Sequence, residues 1–345
     1  ILILDEPTGV LTPAEADDLF KILKNLKNEG KTIILITHKL KEIMSATDTV
    51  SVMRQGEMTA TLETAKTSPE QLAELMVGRK VLLEINKRDA NIGPSALSCH
   101  HLNYRDEKGV HRLKDVSFNV NQGEILGIAG VAGNGQSELL EVLAGIKNAE
   151  GKIIVNSNEI SLDSKHSNPL TRRLLNISHV PEDRQKLGLV LDFCAWENMA
   201  LGYHNTNQYC SNGIFMNNHQ LKLETKKRME KFDIRPPNAT LTAKSFSGGN
   251  QQKIVLAREI EQNPNLLIVG QPTRGVDIGA IEFIHKRIIE LRDAGKAVIL
   301  ISVELDEILS LSDRILVMFD GKIMGEKIAA NTNERELGLL MAGIG

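Results

Sequence analysis

The sequence has little cysteine, little aromatic content and almost no net charge. Its three cysteines, Cys99, Cys194 and Cys210, form no CxxC pair and no metal-ligand pattern, which favours a reduced protein without a disulfide framework. A formal net charge of -3 argues against nucleic-acid binding through a strongly basic face. No apolar run reaches the roughly 20 residues that a membrane-spanning helix needs. The segment after Ile1 also lacks the pattern of a signal peptide.

The length of the chain allows more than one domain. A total of 345 residues, with 41% hydrophobic residues, is enough for about two domains with ordinary buried cores. The chain begins at Ile1, inside an apolar run that predicts a buried strand. Because a buried strand is an unusual place for a chain to start, we expect the sequence to lack an N-terminal part.

A stretch near the N-terminus recurs, without gaps, near the C-terminus. Residues 1–8 (ILILDEPT) align with residues 266–273 (LLIVGQPT), and at the same offset residues 31–43 align with residues 296–308. A shared register over this length predicts two copies of one domain. We therefore predict the C-terminal part of a first domain at 1–83, a linker at 84–96 and a complete second domain at 97–345.

Predicted strands alternate with predicted helices along the chain. Residues 32–37 predict a buried strand, and residues 124–129 predict another that leads through a glycine-rich segment into a helix. This alternation predicts an α/β fold with a largely parallel sheet.

The glycine-rich segment, residues 130–137 (GVAGNGQS), matches the phosphate-loop pattern G-x-x-x-x-G-K-[ST] except at one position. Such glycines let backbone N–H groups face phosphate oxygens beside the positive end of a helix. Gln136 replaces the usual Lys, and Ser137 keeps the magnesium-binding hydroxyl. The alternative is a glycine-rich turn without a ligand. The predicted nucleotide-binding positions here are Gly130, Gly133, Asn134, Gly135, Gln136, Ser137 and Glu138.

A second glycine-rich segment, residues 245–253 (SFSGGNQQK), precedes an apolar helical run. Ser247, Gly248, Gly249 and Asn250 would place free backbone N–H groups at a helix N-terminus, where they can bind an anion. Taken alone, the segment is better explained as a helix cap.

Two predicted strand ends near the N-terminus carry polar residues. Residues 1–8 predict a strand that ends in Asp5 and Glu6. A carboxylate at this position can hold magnesium, and the next can orient an attacking water. The strand at 33–37 ends in His38, which is well placed to contact a γ-phosphate.

In content and order, these motifs resemble those of the ATP-binding cassette (ABC) ATPases over essentially the whole chain. The resemblance implies ABC-type P-loop ATPase domains, with a mixed, largely parallel sheet and a helical subdomain at about 185–260. It implies ATP and Mg2+ as cofactors, Glu6 and His38 as catalytic residues, and Asp5 and Ser137 as metal ligands. It also places an adenine-stacking aromatic residue near Tyr104, although an edge-strand tyrosine is an equal alternative.

Within this family, the chain looks most like the tandem two-cassette subunits of bacterial sugar and nucleoside importers. The segments VPEDRQKLGLVLD and QPTRGVDIGAIEFIH carry this similarity; nucleoside importers are closest, and pentose or hexose importers are the alternative. The resemblance implies permease subunits and an extracellular substrate-binding protein as partners, on the cytoplasmic face of the membrane. Phe193, Trp196 and Met199 are candidates to line the permease-binding groove, or else ordinary core residues. A soluble tandem ABC protein acting on ribosomes or DNA is a weaker alternative.

The two copies differ at the positions that carry catalysis in the family. In the second copy, Gly270 stands in the place of Asp5, Gln271 in that of Glu6, and Val303 in that of His38. Two more positions differ from the usual family residue: Gln136 replaces a Lys, and Glu182 replaces a Gln. Cassettes of this family pair head to tail, which implies one competent site from Glu6, His38 and the signature at 247–249. It also implies one degenerate site at 130–137. The alternative is a second copy that no longer binds ATP.

Overall fold

The computed structural model describes residues 1–8, 11, 13–54, 56–80, 87–160, 162, 167–204, 206, 209–211 and 215–344. Short apolar runs form strands, and amphipathic segments form the helices between them. The N-terminal part contains β1 (Leu2–Asp5), α1 (Pro13–Asn28), β2 (Ile33–Ile36), α2 (Leu40–Ala46), β3 (Thr49–Arg54), β4 (Glu57–Glu63) and α3 (Pro69–Val77). Strands β1 and β2 pair in parallel, and β3 and β4 form an antiparallel hairpin.

The remainder of the chain contains twelve strands and eight α-helices within the described residues. The strands are β5 (Ser95–Arg105), β6 (His111–Asn121), β7 (Ile125–Ala129), β8 (Glu150–Val155), β9 (Asn158–Ile160), β10 (Ile177–Val180), β11 (Cys210–Ser211), β12 (Phe215–Met216), β13 (Leu266–Gly270), β14 (Ala297–Ser302), β15 (Arg314–Phe319) and β16 (Lys322–Ile328). The helices are α4 (Gln136–Leu143), α5 (Pro169–Leu174), α6 (Ala195–Ala200), α7 (Asn218–Lys231), α8 (Gly248–Ile260), α9 (Ile278–Asp293), α10 (Leu305–Leu311) and α11 (Glu334–Met341).

A six-stranded sheet forms the centre of this larger part, in the order β10-β13-β14-β7-β15-β16. All neighbouring strands are parallel except β16, which runs antiparallel to β15. The continuous apolar runs of β7, β13 and β14 are buried at every residue, as expected for parallel strands covered on both faces. Alternate side chains enter two separate cores, so Leu300 packs toward α9 and α10 whereas Ile301 packs toward β5, β6 and α4.

Two further layers surround the main sheet. An antiparallel sheet, β6-β5-β8-β9, covers one core, and helices α6, α7 and α8 pack against one another as a helical part. The predicted α/β fold with a mixed sheet and a helical subdomain is therefore confirmed. Strand β5 begins at Ser95, inside the stretch predicted as a linker, whose first residues lie outside the described ranges. None of the described helices combines the length and apolar content required for a membrane span.

The elements of the N-terminal part recur at one constant spacing. Helix α9 begins 265 residues after α1 (13 to 278), and α10 begins 265 residues after α2 (40 to 305). The hairpin β15–β16 repeats the bounds of β3–β4 with the same shift. The two parts also touch: α3 packs against α9, and α1 packs against α11. The division into two domains remains a prediction, with matching element bounds in its support.

Candidate functional site

The glycine-rich loop connects β7 to α4. Gly133 (φ 92°) and Gly135 (φ 102°) adopt left-handed backbone conformations that favour glycine. A Cβ at Gly135 would also lie 2.7 Å from the carbonyl oxygen of Arg112. Asn134 holds the loop in place, because its side-chain oxygen accepts a hydrogen bond from the Asp320 backbone N–H at 3.0 Å. The N–H groups of the first helical turn have no acceptor within the helix and are available to a ligand.

Gln136 turns back into the loop. Its side chain is buried, and its Nε2 atom donates to the carbonyl oxygen of Val131 at 3.2 Å. The amide lies so close to Gly130 that a Cβ there would be 1.9 Å from Nε2. The residue that replaces the usual Lys therefore supports the loop from inside. The backbone cradle is kept without a cationic side chain.

Ser137 and Glu182 form a pair of oxygen donors beside the loop. The Ser137 hydroxyl donates to Oε2 of Glu182 at 2.6 Å. Burial raises the pKa of the Glu182 carboxyl, and the Ser137 hydrogen bond opposes that rise. Gly270 ends β13 directly beside this pair, and a Cβ at Gly270 would lie 2.6 Å from Cγ of Glu182. Glu182 thus occupies the space that an aspartate side chain at 270 would need.

The residues after β1 and β13 share an unusual backbone conformation. Glu6 has a φ of 43° and Gln271 a φ of 46°, both in the left-handed region that non-glycine residues rarely adopt. Glu6 Oε1 lies 2.8 Å from Nδ1 of His38, whereas Gln271 Oε1 accepts from the backbone N–H of Val303 at 3.3 Å. The two copies therefore share the backbone conformation at this position. The first copy has an ionisable pair there, and the second has an amide.

A buried carboxylate that sequence reasoning missed supports the Glu6–His38 pair. Glu42, on α2, accepts hydrogen bonds from the hydroxyls of Thr8 and, at 2.9 Å, Thr37. These two threonines follow Glu6 and precede His38 in sequence, so Glu42 ties the two strand ends together. In the sequence, the signal for this arrangement is that the aligned segments keep the Thr and the Glu, as Thr273 and Glu307.

The second glycine-rich segment caps α8. The Ser247 hydroxyl accepts a hydrogen bond from Nδ2 of Asn250 at 2.9 Å, and Asn250 Oδ1 accepts from the backbone N–H of Arg235 at 2.8 Å. A Cβ at Gly248 would lie 2.5 Å from the guanidinium of Arg184. A Cβ at Gly249 would lie 3.1 Å from Oδ2 of Asp277, in tight contact. The local structure is a helix cap in a crowded setting, and a role in nucleotide binding stays a prediction.

The other predicted residues lie in varied surroundings. Tyr104 is half-buried on β5, with Nζ of Lys147 5.2 Å from its ring centroid. The expected stacking of Tyr104 on adenine stays a prediction. Met199 is 1% exposed and belongs to the main core, so of the two alternatives it is an ordinary core residue and not a groove residue. Phe193 is 44% exposed, and the Trp196 ring packs under Lys222.

The sheet order brings several predicted residues to one edge. Because β13, β14 and β7 are neighbours and parallel, Gly270, Gln271, Val303 and the loop at 130–135 meet at their carboxyl ends. This is the edge at which open α/β sheets bind ligands. The pair Glu6 and His38 forms at the corresponding end of β1 and β2. Within the described ranges, no hydrogen bond or ion pair joins that pair to residues 247–249.

Comparison with known proteins identifies the family of this chain. The family model described as "ABC transporter" matches residues 113–274. The chain is 46% identical over 346 residues to the nucleoside import ATP-binding protein NupA of Lactococcus lactis, covering 99% of this chain and 67% of that protein. It is 48% identical to the guanosine import ATP-binding protein NupO of Bacillus subtilis, covering 99% and 66%. A ribose import ATP-binding protein, RbsA of Clostridium tetani, is 36% identical, with 94% and 63% covered.

The chain therefore spans about two thirds of the length of these relatives. Among solved structures, a nucleotide-free ATP-binding cassette from an ABC transporter matches 72% of this chain and 97% of its own, with a TM-score of 0.58 and 24% identity. An ATP-binding cassette in its ADP conformation matches with a TM-score of 0.57 and 23% identity, covering 72% and 96%. These structures support the fold. The relatives confirm the predicted family: the chain belongs to the ATP-binding proteins of ABC transporters.

Proposed function

We propose that this chain is part of the ATPase subunit of an ABC importer in which one nucleotide site hydrolyses ATP and the other does not. The hydrolytic site uses Glu6 and His38 with the signature at residues 247–249. The second site uses the loop at 130–137. Head-to-tail pairing of the two cassettes would bring each loop opposite the signature of the other copy.

One observation supports the proposed difference between the two nucleotide sites. Glu6 and Gln271 have similar strained φ angles; Glu6 contacts the side chain of His38, just beyond β2, and Gln271 contacts the backbone of Val303, just beyond β14. Backbone strain of this kind persists where the surrounding structure holds it and is concentrated at functional sites. Only the first copy has side chains at these positions that can exchange protons, because it has Glu6 and His38 where the second copy has Gln271 and Val303.

The chemistry of the first copy follows from these side chains. The Glu6 carboxylate can accept a proton from, or orient, the water that attacks a γ-phosphate. His38 fixes the Glu6 carboxylate through the 2.8 Å contact and can donate to a phosphoryl oxygen from its other ring nitrogen. Asp5 would hold Mg2+, which stabilises negative charge on the phosphate oxygens when bound.

The second copy keeps the groups that bind but not the groups that react. Its loop retains the backbone cradle, and Ser137 and Glu182 provide two oxygen donors 2.6 Å apart. Oxygen donors of this kind suit Mg2+, so these two residues would hold the ion there. No carboxylate occupies the place of Glu6, because residue 271 is an amide. The second site is therefore proposed to retain ATP for long periods.

The transported compound is proposed to be a nucleoside. The support is the higher identity to nucleoside and guanosine importers, 46% and 48%, than to a ribose importer, 36%. Permease subunits and an extracellular substrate-binding protein are the proposed partners, at the cytoplasmic face of the membrane. The test is uptake of labelled guanosine, uridine and ribose by a deletion strain carrying the full-length protein or its Glu6→Gln variant. Nucleoside uptake that Glu6→Gln abolishes is expected; uptake of ribose alone would refute the nucleoside assignment.

A further inference from the structure

The two parts of the chain meet around an approximate twofold axis. Helix α3 contacts α9, and α1 contacts α11. Because α1 and α9 are aligned copies, as are α3 and α11, these two contacts are equivalent under exchange of the halves. Residues that lie on such an axis face their own counterparts.

Two ion pairs mark this axis. Nζ of Lys39 lies 2.8 Å from Oε2 of Glu304, and Nζ of Lys41 lies 2.7 Å from Oδ1 of Asp306. Both pairs join positions separated by 265 residues, which is the repeat spacing itself. Lys41 also donates to Oε1 of Glu334 at 2.8 Å, at the start of α11. The first half is therefore basic on the axis, and the second half is acidic.

Like halves would meet with like charges. If two second halves paired in this geometry, Glu304 would face Glu304, and Asp306 would face both Asp306 and Glu334. Two first halves would bring Lys39 against Lys39 and Lys41 against Lys41. Opposing like charges are a known means by which interfaces reject wrong partners.

We propose that these charges determine which halves pair. They favour pairing of a first half with a second half and disfavour pairing of two first halves or of two second halves. The occupant of the acidic surface (Glu304, Asp306 and Glu334) is thus the basic surface of a first half (Lys39 and Lys41). An apolar contact beside the axis, in which Met76 and Val77 pack against Ile278, adds attraction between the two halves. The inference does not depend on nucleotide chemistry.

A reporter disulfide can measure pairing of unlike halves. A Cβ at Gly279 would lie 3.0 Å from Cγ1 of Val77, and the backbone of Gly279 does not have a positive φ, so Val77→Cys with Gly279→Cys places two thiols in reach. The partly exposed Cys194 is replaced by Ser, which is also a good helix N-cap. Paired like halves would not bring residue 77 to residue 279. The rate of disulfide formation under mild oxidation therefore reports unlike pairing alone.

The charge variants are then compared in this background at low salt. K39E/K41E turns three attractive contacts into repulsive ones and is expected to slow disulfide formation on the order of tenfold. E304K/D306K is expected to slow it as well. The combination of all four substitutions restores the two axial pairs, so its rate is expected within about threefold of the parent. The differences are expected to shrink at about 1 M salt.

The matched control is K226E/K227E, which makes the same change in charge at two exposed lysines of α7. Its rate is expected to equal that of the parent. Circular dichroism of each variant shows whether it has folded, and light scattering shows whether like halves associate into dimers. An unchanged rate of disulfide formation in K39E/K41E at low salt would overturn the proposal that these charges select the pairing. The proposal would equally be overturned if the fourfold variant were no faster than either twofold variant.

Discussion

Replacing Gly270 with alanine tests whether Glu182 has taken the space of the metal-binding carboxylate. The added Cβ would lie 2.6 Å from Cγ of Glu182 and 2.6 Å from Cδ1 of Leu140. Carbon atoms in contact are normally about 3.5–4.0 Å apart, so each neighbour would have to retreat by about 1 Å. Overpacking of this kind costs about 1–3 kcal/mol, and the usual gain of Gly→Ala in a strand offsets about 0.5–1 kcal/mol. We expect a net loss of about 1–2 kcal/mol in the free energy of unfolding.

The assay is urea unfolding of the purified chain followed by circular dichroism. Gly338→Ala is the matched control, because Gly338 lies within α11 and a Cβ there has no neighbour within 4 Å. The free energy of unfolding of this variant is expected to rise by about 0.5–1 kcal/mol. Glu182→Ala removes one of the two clashes, so the double variant with Gly270→Ala should be more stable than the sum of the single effects. A Gly270→Ala protein as stable as Gly338→Ala would refute the exclusion of a side chain at 270.

Three further predictions follow from buried groups and from the divided site. Burial lowers the pKa of His179 to about 4, so between pH 6.5 and 4 the unfolded chain binds a proton that the folded chain does not. Stability is thus lost as pH falls through this range, by about 2 kcal/mol at pH 5, and unfolding titrations of His179→Gln should lack this loss. Glu42→Ala is expected to lower ATP turnover of the full-length protein about tenfold, because Thr8 and Thr37 lose their common acceptor; unchanged turnover would contradict that support role. The purified 345-residue chain is expected to show negligible ATPase activity, because the sequence holds only the phosphate loop of the second copy; clear turnover would contradict the composite site.

The sequence alone predicts the repeated register and the largely parallel character of the main sheet. A register maintained over many residues is visible directly, and the bounds of α1, α2 and β3 recur in α9, α10 and β15 at that spacing. The phosphate-loop glycines were equally clear, because the left-handed backbone of Gly133 and Gly135 requires that residue type. These features are local or periodic, which is why residue order alone reveals them.

Features that depend on long-range packing were not visible. The contact between Ser137 and Glu182 joins residues 45 positions apart, and neither sequence motif indicates it. The positive φ of Glu6 and Gln271 could not be read from residues that seldom adopt it. The spacing of Met199 fits one face of a helix, but spacing does not say whether that face is turned toward the core or toward solvent.

The measurement that tests the account most directly is steady-state ATP turnover of the full-length protein assembled with its permease, for Glu6→Gln and Gln271→Glu in parallel. The two substitutions exchange the same pair of side chains at equivalent strained positions, so each is the control for the other. We expect Glu6→Gln to reduce turnover at least about 100-fold, in the range of a lost general base. We expect Gln271→Glu to change it less than about twofold. Equal losses from the two substitutions would contradict the division into one hydrolytic and one retaining site.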